Sequence, residues 1–92
     1  MMTDLGDRIE VAGAMTLSVA KGLLAEGKTF VARTGAVFDL AGVTDVDSSG
    51  LAVVFGWQRE AQRLGKSIRI ANPPHNLRSL ADVYGVSELL PL

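Results

Sequence analysis

The sequence predicts an α/β domain in which helices pack on a mixed sheet, and three observations carry that prediction. Runs at 8–12, 37–40 and 67–71 are alternating or nearly all apolar, as strands are. Between them, two stretches from about 16 to 33 and from 49 to 64 space their apolar residues three and four apart. Glycine or proline punctuates the changes of period. With 92 residues, 48% of them hydrophobic, the chain fits one small domain over 1–92, with no internal repeat or linker.

Arg8-Ile9-Glu10-Val11-Ala12 alternates as a half-buried strand does, and Gly13 is expected to end it. In the following helix Ala20, Leu24 and Val31 share one face with Val19, Leu23 and Phe30 beside them, and Thr16 or Ser18 can cap the start. Two stops are available, Gly27 and Gly35. The spacing of Phe30 and Val31 favours the longer helix, to about Arg33, although Gly22 and Gly27 each cost it about 1 kcal/mol relative to Ala. Val37 to Leu40 reads as a central strand covered on both faces, and 42–46 as the connection onward.

The next helix, Ser49 to Leu64, has the clearest stripe: Gly50, Val54, Trp57, Ala61 and Leu64, with Arg59 and Arg63 opposite and Gly65 as stop. Ser67-Ile68-Arg69-Ile70-Ala71 alternates again before the Asn72-Pro73-Pro74 break. Leu77, Leu80, Ala81 and Tyr84 mark a last short helix ended by Gly85, and 86–92 is expected to be an apolar tail packed on the sheet.

Composition narrows the function. Nine basic and ten acidic residues leave a formal charge of −1, which supplies no footprint for nucleic acid and no basic run for anionic lipid. The absence of cysteine excludes disulfides, thiol catalysis and thiolate metal sites. The acidic start and the lack of a long apolar run point to a cytoplasmic protein without membrane insertion.

Asp47-Ser48-Ser49-Gly50-Leu51 places two hydroxyls where a buried strand should turn into a helix. A helix start has unpaired N–H groups and partial positive charge, so Ser48 can cap it, and a phosphate there would be stabilised. Beyond it, Ala52 and Phe55 point with Arg59 and Arg63, away from the core stripe. A partner-binding surface of Asp47, Ser48, Ser49, Ala52, Phe55, Gly56, Arg59 and Arg63 follows, since apolar surface rimmed by charge marks interfaces. The competing reading is that Phe55 and Leu51 only widen the core stripe.

Catalytic readings fare worse. Asp45-Val46-Asp47-Ser48-Ser49-Gly50 imitates half an EF-hand loop, but the twelfth position is Gly56 rather than a bidentate Glu. A phosphotransfer Asp with magnesium lacks room for a lid and further ligands in so short a chain; the simpler role is that Asp45 shapes the turn and Asp47 meets the helix N-terminus. A triad of Ser48, His75 and Asp39 exists only on paper, because His75 follows two prolines and belongs at the start of the last helix. No catalytic residue, metal or cofactor is assigned.

The run from Val37 through Asp39, Gly42, Asp45 and Asp47-Ser48-Ser49-Gly50-Leu51 to Ala52 resembles the signature of STAS domains, the family of sulfate-transporter tails and anti-sigma factor antagonists. The resemblance extends from Ile9-Val11 through Gly13 and Asn72-Pro73 to Leu80-Ala81-Asp82-Val83-Tyr84-Gly85-Val86. It implies a non-enzymatic α/β domain, a mixed four- to five-stranded sheet with helices mainly on one face, working by contact with another protein.

Two functions compete within the resemblance. The small STAS subunit of Mla-type phospholipid-transport ABC complexes, which maintain outer-membrane lipid asymmetry, sits on the cytoplasmic ATPase and supports it. The minimal length, Leu51-Ala52 and the ending through Pro91 are similar to that group, implying a protein held at the inner membrane through its complex. In anti-sigma factor antagonists, the serine matching Ser48 is the phosphoacceptor of a partner kinase, and the added charge releases the complex. Many members carry a Gly-Glu-Leu-Asp type turn after the first strand where this chain has Gly13-Ala14-Met15-Thr16, which weakens the antagonist reading more.

Overall fold

The computed structural model describes residues 1–34 and 36–92, and only the backbone of residue 34. Four strands, β1 (Met2–Asp4), β2 (Ile9–Met15), β3 (Val37–Val46) and β4 (Arg69–Ala71), form one sheet in that order. β1 runs antiparallel to β2, and β2, β3 and β4 are mutually parallel. The helices are α1 (Leu17–Thr34), α2 (Ser48–Arg63) and α3 (His75–Val83), followed by a 3-10 turn at Ser87–Leu89.

Because β2, β3 and β4 succeed one another in one direction across the sheet, crossovers of the same right-handed sense put α1 and α2 on one face. Trp57 shows that they share it. Its indole is fully buried, stacks on Phe38 of β3 at 4.2 Å between ring centres, and donates Nε1–H to the Leu23 carbonyl of α1 at 3.1 Å. Gly27 makes this possible, since a Cβ there would fall inside the indole. Ile9, Val11, Met15, Phe38, Leu40 and Ile70 supply the buried side of the sheet, and Val31, Val54, Ala61, Leu77 and Ala81 come from the helices.

Among the described residues no second helical layer covers the sheet's other face. Glu10 and Arg69 are exposed there; Val37 to Leu40 of β3 is buried or half-buried on both faces as expected, but the cover on this face comes from side chains rather than from helices, and the strand is mostly exposed beyond Leu40. Asp39 is nonetheless buried, because it makes its own polar cover. Oδ1 accepts from the Asn72 side chain and from Ala41 N–H, both at 3.0 Å, and Oδ2 pairs with Arg8 Nε at 3.3 Å.

Several boundaries differ from the sequence reading. β2 does not stop at Gly13 but passes through it at φ 89° to Met15. β3 runs ten residues, taking in the expected connection 42–46 and placing Asp45 in a strand rather than a turn. In both places the register explains the miss: between Glu10 and Ala12, and again between Gly13 and Ala14, β3 carries one residue more than β2, which breaks the alternation. β1 was not anticipated. α1 takes the longer course, passing Gly22 and Gly27, and its expected stop at Gly35 lies outside the described residues. The tail buries Leu90, and Pro91 accepts the Ile70 N–H at 2.7 Å, while Leu89 and Leu92 stay exposed.

The two glycines inside α1 should respond oppositely to the same change. Gly22 faces open space, so Gly22→Ala is expected to raise stability by up to about 1 kcal/mol through helix propensity. Gly27→Ala is expected to lower it by about 1–3 kcal/mol by displacing the indole, and Trp57→Ala by about 3–5 kcal/mol. Urea midpoints of the three variants check the order.

Candidate functional site

Parallel strands end together, and here β2 and β3 finish with Met15 paired to Val46. Each is followed almost at once by a helix, so the N-termini of α1 and α2 open at the same end of the molecule. Asp47 serves both. With extended backbone as the N-cap of α2, it accepts from Ser49 N–H at 2.8 Å and Gly50 N–H at 3.3 Å through Oδ1, and from Leu17 N–H of α1 at 3.1 Å through Oδ2. Gly50 brings the pieces close enough, because a Cβ there would strike the Met15 carbonyl.

This arrangement corrects two capping assignments. The α2 cap is Asp47 rather than Ser48, since Ser48 already belongs to the helix. At α1 the Leu17 N–H goes to Asp47 instead of to Thr16 or Ser18. Thr16 contributes its carbonyl to Val19 N–H, and its hydroxyl lies 3.5 Å from that of Ser18.

With its cap duty taken, Ser48 is exposed at the start of a surface ridge. Ala52 and Arg59 are exposed along the same face, and Phe55 is half-buried between them. Arg63 is exposed at the far end but committed to Glu60, through Nε at 3.0 Å and a second nitrogen at 2.8 Å. Ser49 is half-buried and gives its N–H to Asp47. Gly56 is not part of the exposed surface: it is buried against α1, where a Cβ would strike Leu24. Leu51 is buried, so it widens the core stripe, whereas Phe55 lies between the two readings given for it.

Sequence reasoning missed the flanks of the ridge. Phe55, Gln58, Arg59 and Gln62 line a shallow depression of about 350 Å³ with Val86 and Leu89 of the tail. Val46, Asn76, Ser79, Leu80 and Val83 line a second, of about 260 Å³. Val83 in the second depression and Leu89 in the first are 79% and 60% exposed, and Leu17, whose N–H reaches Asp47, is 75% exposed, high values for large apolar side chains. Leu89 lies in the tail expected to pack on the sheet, and Val83 closes α3, so neither carries a local sign of surface exposure.

The groups of the paper triad have other partners. Asp39 is engaged by Asn72, Ala41 and Arg8, and His75, the first residue of α3, lies 3.3 Å from the Ser79 hydroxyl. Among the described residues no three His, Cys, Asp or Glu side chains gather as a metal site would require, and no helix is long and apolar enough to cross a membrane.

Residues 2–91 match the family model described as Mlab, STAS domain. The chain belongs to the MlaB-type STAS domain family. A curated relative, the intermembrane phospholipid transport system binding protein MlaB of Haemophilus influenzae, is 36% identical over 56 residues, or 61% of this chain. The matched stretch spans about half, 53%, of that relative's length. The anti-sigma factor antagonist SpoIIAA in its unphosphorylated form superposes with a TM-score of 0.73 at 18% identity, covering 98% of this chain and 84% of that one. The phosphorylated form of SpoIIAA, described as a Bacillus cell fate determinant, gives 0.70 at 18% identity over 98% and 86%. At that identity the likeness is one of fold, and it bears out the STAS-like architecture expected from the sequence.

Acid should test the double cap. The Leu17 N–H first, then those of Ser49 and Gly50, hold the Asp47 carboxyl below its ordinary value of 3.8, against the opposing effect of burial. The Asn72 amide first, with Ala41 N–H and Arg8, lowers Asp39 likewise. Near pH 4 the unfolded chain therefore binds more protons than the folded one. The stabilisation is full above about pH 5 and is lost as pH falls through the folded values, below about 4. Asp47→Asn should flatten this acid limb and lower Tm at pH 7 by about 5 °C or more. Thermal melts from pH 7 to 2 measure both.

Proposed function

We propose that this chain is a non-catalytic STAS accessory subunit that binds and supports the ATPase of an Mla-type phospholipid-transport ABC complex. The observation that carries the reading is the family match across residues 2–91. The Haemophilus influenzae relative, named as an intermembrane phospholipid transport system binding protein, agrees with it. The geometry favours docking over chemistry, because Asp47 is occupied by three backbone N–H groups and His75 and Asp39 have partners of their own.

The docking surface is the ridge from Ser48 through Ala52 and Phe55 to Arg59, with Leu17 near its start and Leu89 beside Phe55, reaching Arg63 at its end. Asp47 and Ser49 act from beneath by fixing how Ser48 is presented, and Gly56 by letting α1 approach. No cofactor is needed for this role. The chain would work in the cytoplasm, held at the inner membrane through its complex.

Co-expression with the Mla-type ATPase of the same genome should yield a stable complex that purifies together. Phe55→Glu places a carboxylate in the contact and should weaken binding by tenfold or more, with circular dichroism and Tm close to the parent. Ser48→Asp should do the same. If the ATPase fails to bind and the chain instead purifies with a serine kinase, carrying a phosphate that Ser48→Ala removes, the protein is an anti-sigma factor antagonist and the transport reading falls.

A further inference from the structure

The layer formed by α1 and α2 carries a charge that the chain as a whole does not. Against nine Lys and Arg and ten Asp and Glu overall, these two helices hold five cations, Lys21, Lys28, Arg33, Arg59 and Arg63, and two acids, Glu26 and Glu60. Their net +3 faces −4 on the remainder, made of four cations and eight acids. All five cations are exposed.

Two of the five are already engaged, Arg33 by Asp4 at 2.5 Å and Arg63 by Glu60 at 2.8 Å. Lys21, Lys28 and Arg59 have no ion pair among the described residues. Lys21 and Lys28 stand two turns apart on one side of α1. That side faces α2, because Lys28 is near enough to Glu60 to help Arg63 lower its pKa, and Leu24, between the lysines, closes over Gly56. The strip thus runs from Lys21, Leu24 and Lys28 on α1 across Gly56 to Arg59, with half-buried Phe55 beside Arg59 and exposed Ala52 on the same outward face of α2.

We propose that this strip recognises an acidic, amphipathic surface on the protein partner, with Lys21, Lys28 and Arg59 meeting carboxylates and Leu24, Ala52 and Phe55 receiving its apolar side chains. The inference rests on the docking role above and adds the partner's chemistry and the participation of α1. A protein surface fits better than an anionic bilayer. Polybasic lipid recognition gathers about four to eight cations, more than the three free here, and the −4 remainder opposes approach to a negative membrane. Complementary charge of this kind acts mainly on association and on partner choice, and salt screens it.

The test titrates the chain against the purified Mla-type ATPase of the same genome by calorimetry at about 50 and about 400 mM NaCl, conditions that differ several-fold in screening length. The parent should lose about tenfold in affinity at high salt, and a Lys21→Glu, Lys28→Glu, Arg59→Glu triple variant should lose about a hundredfold at low salt and most of its salt dependence. An Arg69→Glu, Arg78→Glu control reverses exposed cations on β4 and α3 and should stay within about twofold. A charge-conserving triple, Lys21→Arg, Lys28→Arg, Arg59→Lys, should bind as the parent does, and circular dichroism confirms that each variant folds. Tight binding that ignores both salt and reversal overturns the acidic-surface assignment while leaving the docking role intact. No binding by the parent overturns both. Flotation of the parent, but not the triple variant, with vesicles containing phosphatidylglycerol would reassign the strip to a lipid surface.

Discussion

The structure turns on one carboxylate that closes two helices. Asp47 sits where β3 ends, and its two oxygens take the leading N–H groups of both α1 and α2. A helix start has four N–H groups without internal partners, and one anion near two such starts meets partial positive charge from both sides. Leu17 and Asp47 are thirty residues apart, so this contact fixes the relation between the two crossovers as well as the local turn. Without it the first turns of both helices would rely on solvent, and the face that α2 turns outward would lose its reference to the sheet.

A second constraint acts halfway along the same pair of helices. The Leu23 carbonyl belongs to a helix interior, where one lone pair normally serves the N–H four residues on. Its other lone pair is usually shielded by a side chain. At position 27 there is none, and the Trp57 N–H enters to use it. The buried indole therefore keeps its polar atom satisfied while the ring stacks on Phe38, which couples α1, α2 and β3 through a single side chain. Gly56 repeats the device from α2 toward Leu24. Gly27 and Gly56 thus sit where the two helices approach most closely, whereas Gly22 faces open space and has no such role.

These devices explain what the sequence could and could not reveal. The stripe of α2, Leu77 and Ala81 of α3, and the breaks at Gly65, Asn72 and Gly85 were legible, since burial of one helical face leaves a period in the residues and left-handed backbone favours Gly or Asn; Tyr84, expected on the α3 stripe, instead lies past the helix end and is exposed. The length of β3 was not, because two register shifts against β2 break the alternation that marks a strand. β1 was hidden because a three-residue edge strand leaves almost no pattern. At the site, the motif was visible but its division of labour was not. A cap shared with a helix thirty residues away is a tertiary fact, and local spacing pointed to the nearer hydroxyls. The place of Leu89 beside Phe55 depends likewise on the path of the tail.

The same division of labour bears on what Ser48 can do. A bare helix N-terminus would welcome a phosphate, but here the N–H groups of Ser49 and Gly50 already serve Asp47. A dianion on Ser48 would arrive next to that carboxylate and compete with it for the same donors. It would add charge at the ridge without finding an empty cradle, so its effect would fall on the partner contact and on the shared cap. On the docking reading proposed above, a bare Ser48 leaves the ridge uncharged, whereas a phosphate there would place a dianion beside the carboxylate of Asp47.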